Sequence, residues 1–130
     1  NALRGMRLHC QRTDYVIAIE GRVLVGLHDL RPDSASCGTG ALYDLHGDAP
    51  AALVIPPGVI HGFYMPQRAA HIIGLSHCHG FGDDHLGCRW DDAGLGIAWP
   101  CIDPILVERD SDSGSLEGLR AAYAAARTCT

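Results

Sequence analysis

Ala51-Ala52-Leu53-Val54-Ile55, Pro56-Pro57-Gly58 and Val59-Ile60-His61-Gly62-Phe63-Tyr64-Met65 are an apolar run, a sharp corner and a second short run. Both runs read as strands, because they are short, rich in β-branched and aromatic residues, and bounded by turn formers. The same grammar extends outward. Residues 41–45 form a strand, and His46-Gly47-Asp48 is the turn that leads to residues 51–55. Upstream, residues 15–20 and 22–30 are β-rich and separated by Gly21, and residues 31–40 read as a Pro/Asp/Ser/Gly loop. Downstream, residues 69–76 form a further strand, and residues 77–94 read as irregular. Short strands at this spacing predict an all-β barrel or sandwich. Only the end reads as helix, with Ser115 as N-cap and an Ala/Leu-rich run over 116–127.

The 130 residues form one domain, 1–130, long enough to hold a core. Hydrophobic residues make up 47% and charged residues 19%, which excludes disorder as the main state. No apolar run reaches the ~18 residues of a membrane span, so no membrane partner is expected. The net charge of −5 and the absence of a basic run argue against nucleic acid. All ten basic residues are Arg, so no lysine chemistry is available. The six cysteines lack the short, loop-rich context of a disulfide scaffold. Reduced thiols and a cytoplasmic location are expected.

Candidate site residues come from three places. His61 follows the Pro-Pro-Gly corner, which aims its imidazole reproducibly; a backbone-bonded strand-end His is the plainer alternative. Arg4, Arg7 and His9 lie close together, and Arg7 and His9 share a face if the segment is extended. Arginines beside a His suit a phosphate and a carbon acid, whereas a solvated edge strand would look the same. Asp110 follows Arg109 in a polar stretch and by itself reads as a surface carboxylate.

Four stretches together resemble the dTDP-4-dehydrorhamnose 3,5-epimerase family. They are Arg4-Gly5-Met6-Arg7-Leu8-His9, the run from Ile55 to Phe63, Arg89-Trp90-Asp91-Asp92 with Leu95-Gly96-Ile97-Ala98-Trp99-Pro100, and the segment ending in Asp110. Asp29-Leu30-Arg31 adds a fifth match. The resemblance implies a cupin-type double-stranded β-helix (jelly roll) with a short C-terminal helix. It also implies an epimerase acting on a nucleotide-linked 4-keto-6-deoxy sugar. A base removes a proton beside the keto group, the enolate oxygen is stabilised, and an acid returns a proton to the other face.

Carried over residue by residue, Arg4 matches the phosphate-binding Arg, His61 the His beside the keto oxygen, and Asp110 the carboxylate that orients the base. The base itself is either Arg7, on one alignment, or His9, on another that admits two extra residues. With His9 as base, a His9–Asp110 hydrogen bond is expected, with Arg4 and Arg7 binding substrate. The family's Lys is absent, with Asp14 near its place, and its acid Tyr is replaced by Gly74, leaving Tyr64 and His77 as stand-ins. The family's N-terminal segment is expected to be missing. No cofactor and no metal are implied, and the nucleotide sugar is the expected partner beside a second copy in a homodimer. Two alternatives stay open: a non-catalytic relative that binds a sugar nucleotide or a partner subunit, and a metal-dependent cupin using His9, Asp14 and His61.

Overall fold

The computed structural model describes residues 1–77 and 86–128. Seven strands are present: β1 (Ala2–Arg7), β2 (Asp14–Glu20), β3 (Arg22–Asp29), β4 (Gly40–His46), β5 (Ala52–Ile55), β6 (Val59–Met65) and β7 (Ala70–Leu75). Two helices follow, α1 (Glu108–Ser111) and α2 (Leu116–Thr128). The strands form two antiparallel sheets, ordered β1-β6-β3-β4 and β5-β2-β7. This is the expected all-β jelly roll with a C-terminal helix. The strand β1 and the single-turn α1 are elements that the hydrophobic pattern did not isolate.

The two sheets face each other across a core of Val16 and Ala18 from β2, Val23 and Val25 from β3, Leu45, Ile55, Val59 and Phe63. The outer face of the four-stranded sheet is also covered. Met6, Leu8 and Ile60 pack there beneath Leu95 and the α2 residues Leu116, Leu119 and Tyr123. Burial on both faces explains why β3 and β6 are apolar almost throughout instead of alternating. The three-stranded sheet is covered on one face only, so β2 alternates: Val16 and Ala18 point in, Tyr15 and Ile19 point out.

Several family-like motifs turn out to hold the fold. Asp29 accepts hydrogen bonds from Arg31 and from the hydroxyls of Ser34 and Ser36, which ties down the 31–40 loop. These bonds, Arg31's first, keep its carboxyl well below the usual range. Asp92 accepts from the backbone N–H of Gly94 and of Leu116, and so caps α2 from a distant loop. Cys37, Cys88 and Cys101 are free thiols, and burial pushes the Cys88 thiol up to about 12.

His28 is fully buried on β3. Its Nδ1–H donates to the Leu95 carbonyl at 2.8 Å, and its Nε2 accepts from Arg120 of α2 at 3.0 Å. Burial, with Arg120 adding to it, pulls its pKa below the ordinary 6.5. The folded state therefore resists protonation that the unfolded chain accepts. Stability from this group is complete above the unfolded value and declines as pH falls below it. Urea denaturation is expected to show lower stability at pH 5 than at pH 7.5, with a shallower pH slope in His28→Gln. An unchanged slope in that variant would remove His28 from the account.

Candidate active site

The site forms where β1 and β6 of the large sheet meet the start of β2. On β6, inward and outward positions alternate: His61 and Phe63 face the space between the sheets, while Ile60 and Tyr64 face the other side. Tyr64 therefore points away from the site, and its hydroxyl donates to Asn1 Oδ1. His77 also lies outside the cavity lining, bonded to Ser76. Neither proposed stand-in for the acid Tyr reaches the site; His71 of β7 does, stacked on Phe63 at 5.3 Å between ring centroids. Burial lowers the pKa of His71.

Arg4 pairs with Phe63 and Arg7 pairs with His61. An offset of three would put two strand residues on opposite faces. Here the register shifts between Gly5 and Arg7, so Met6 is the extra residue and both arginines face inward. Gly5 is required at this bend. Its φ is +106°, and a Cβ there would lie 2.8 Å from Gly62 Cα.

These elements enclose a cavity of about 610 Å³. Among the described residues, Arg4, Arg7, Arg12 and Arg109 line it against one carboxylate, Asp14; Phe63, Ile73 and Leu75 supply apolar wall. The charge is layered. The Arg109 side chain is 66% exposed, whereas Arg12, His9, Asp14 and His61 are buried at the floor. His9 and His61 lie 5.2 Å apart between ring centroids. His61 Nδ1–H donates to the Val59 carbonyl, which leaves Nε2 facing Asp14 Oδ2 at 3.3 Å. That contact is attractive only with a proton between the two atoms. Burial pushes the Asp14 carboxyl up, but bonds from His61 and Arg12 outweigh it and hold the group below its usual value. Asp14 thus favours the carboxylate form.

His9 does not meet Asp110, so the expected His9–Asp110 bond is corrected. His9 Nε2 lies against Arg12 Nη2 at 2.5 Å and 4.0 Å from Asp14. Asp110, buried on α1, instead accepts from Arg7 Nη2 at 2.5 Å and from the Gly5 backbone N–H at 3.1 Å. The cause is the bulge: it turns Arg7 toward α1 opposite His61, and carries His9 past the strand end toward Arg12. In the strand register Arg4 and Arg7 stand opposite Phe63 and His61, and His9 lies beyond the end of β1. Arg12 was missed in the sequence. It precedes a strand, carries no motif, and acquires meaning only when His9, Asp14 and His61 converge on it.

Comparison with known proteins matches residues 1–118 to the family model described as dTDP-4-dehydrorhamnose 3,5-epimerase. A protein of that name from Sinorhizobium fredii is 33% identical over 90 residues, covering 68% of this chain and 46% of the relative. One from Escherichia coli is 32% identical over 105 residues, covering 77% and 56%. The chain thus spans about half the length of these curated relatives. Among solved structures, a 4-keto-6-deoxy sugar epimerase from the novobiocin biosynthetic gene cluster of Streptomyces spheroides superposes with a TM-score of 0.83 at 27% identity. That match covers 93% of this chain and 62% of the other.

Proposed function

This chain belongs to the dTDP-4-dehydrorhamnose 3,5-epimerase family, and from that premise we propose that it epimerises a nucleotide-linked 4-keto-6-deoxy sugar. The observation that carries the reading is the layered cavity: the rim arginines Arg4, Arg7 and Arg109 over a buried floor that holds Arg12 and the His9–His61 pair. The rim arginines Arg4, Arg7 and Arg109 suit a diphosphate, which they meet with forked, permanently charged donors. The floor suits the sugar. Arg7 stays protonated and cannot act as base. His9 is the remaining candidate: its Nε2 lone pair accepts from the Arg12 guanidinium and becomes available as Arg12 turns to the keto oxygen. It takes the proton from the carbon beside the keto group, and the electron pair moves onto the keto oxygen. Arg12 and His61 are the donors placed for that enolate. A proton returned to the opposite face completes inversion; His71, on the facing sheet, is the proton-exchanging group on that side.

The test is NMR of a dTDP-4-keto-6-deoxy sugar in D2O with the protein. Deuterium is expected at C3, C5 or both. Binding without any exchange would instead support a non-catalytic sugar-nucleotide binder, the alternative that the absent Lys and acid Tyr leave open.

The same proposal includes a homodimer and a cytoplasmic location. Tyr15, Ile19, Val54 and Ile72 are each about half exposed on the outer face of the three-stranded sheet. Tyr15 neighbours Val54, and Ile72 lies opposite Ile17, so the apolar residues are contiguous. A second copy paired about a two-fold axis would cover this face. Light scattering is expected to give twice the 13.9 kDa chain mass, falling toward the monomer in Ile72→Asp. A monomeric unmodified protein would refute the pairing. The free thiols support a reducing compartment, and no described helix is long and apolar enough to cross a membrane.

A further inference from the structure

His9, Asp14 and His61 offer ligand atoms that all lie within 4.8 Å of one another, and all three residues are buried. Two imidazole nitrogens and one carboxylate oxygen are a donor set for a divalent transition metal. The centre of this set is not vacant of charge. Arg12, only 8% exposed, places Nε 2.7 Å from Asp14 Oδ1 and Nη2 3.3 Å from Asp14 Oδ2, and the same Nη2 lies against His9 Nε2. One guanidinium thus presents positive charge to the lone pairs of two of the three groups.

We propose that His9, Asp14 and His61 are a divalent-cation ligand set whose cation is supplied by the chain itself as Arg12, and that the set takes up a transition metal once that guanidinium is removed. The physical argument is charge balance. Asp14 is a buried carboxylate, and an uncompensated buried charge is strongly unfavourable. Removing Arg12 takes away the guanidinium that lies against both Asp14 and His9 Nε2. Arg7, which lines the same cavity, is paired with Asp110. The proposal does not depend on the sugar-nucleotide reading and can succeed or fail without it.

The experiment titrates the full chain and its Arg12→Ala variant with Co(II), followed by visible absorption and equilibrium dialysis. Arg12→Ala is expected to bind one ion per chain at least ~100-fold more tightly than the unmodified protein, the scale of losing a buried ion-pair partner. Ligand-field bands should appear, and the ion should raise the variant's Tm. Adding His61→Ala should abolish the bands and the Tm rise. Arg12→Gln, which keeps a donor for Asp14, is read the same way if the Ala variant fails to fold. A folded variant that takes no Co(II) overturns the proposal, as does failure of both variants to fold even with Co(II). Equal, tight, stoichiometric binding by the unmodified chain also overturns it, because Arg12 would then not be holding the site.

Discussion

In His9→Asn, solvent-deuterium exchange into the sugar should slow by ~10²–10⁴-fold, the usual loss for a positioned general base, while nucleotide-sugar binding stays nearly intact. Asn keeps an oxygen that can accept from Arg12, so the guanidinium need not abandon its pair with Asp14. Binding should survive because the proposed phosphate contacts are the rim arginines, not His9. The assignment is specific to His9 for a geometric reason. Arg7 occupies the place opposite His61 and is held by Asp110, and His61 Nε2 faces the Asp14 carboxylate. His9 Nε2 accepts from the Arg12 guanidinium, and on the proposed reading it acts as base once Arg12 turns to the keto oxygen. Arg4→Ala should show the reverse pattern, with weaker binding and a normal exchange rate once the sugar is saturating. Undiminished exchange by His9→Asn would sink the base assignment while leaving the anion-binding cavity untouched.

The outcome for the site residues shows where sequence patterning stops. Strand positions were legible because the small sheet alternates and the large sheet reads as continuous apolar runs, and both are local signals. That Arg4, His9 and His61 share one cavity followed from motif order. Their partners did not. Whether Arg7 or His9 meets Asp110 depends on one extra residue, Met6, in the β1 register. A register shift re-aims a side chain without leaving a mark on composition. Asp110 looked like a surface carboxylate because its neighbours are polar, yet the single-turn α1 docks it against Gly5 and Arg7. Arg12 was silent for a similar reason. A loop arginine gains a role only from the three buried groups that surround it.

Asp110→Ala is expected to cost on the order of 3–5 kcal/mol of stability, the range for removing one partner of a buried ion pair. At this chain length that lowers Tm by roughly 10 °C or more. Asp110 is 2% exposed, and its oxygens serve both the Arg7 guanidinium and the Gly5 N–H. Its loss leaves a cation and a buried backbone donor without their acceptor. Asp110→Asn should cost less, since the amide oxygen can still accept from Gly5 while the charge on Arg7 goes unmatched. The kinetic consequence separates the two roles that the residue could hold. If Asp110 oriented the base, Asp110→Asn would lower kcat and leave KM alone. Because it holds Arg7 at the cavity rim, the substitution should raise KM for the sugar nucleotide, and kcat should change little at temperatures where the variant is folded. A kcat loss as large as that of His9→Asn, with KM unchanged, would return Asp110 to the base and require Arg7 to move aside when the substrate binds.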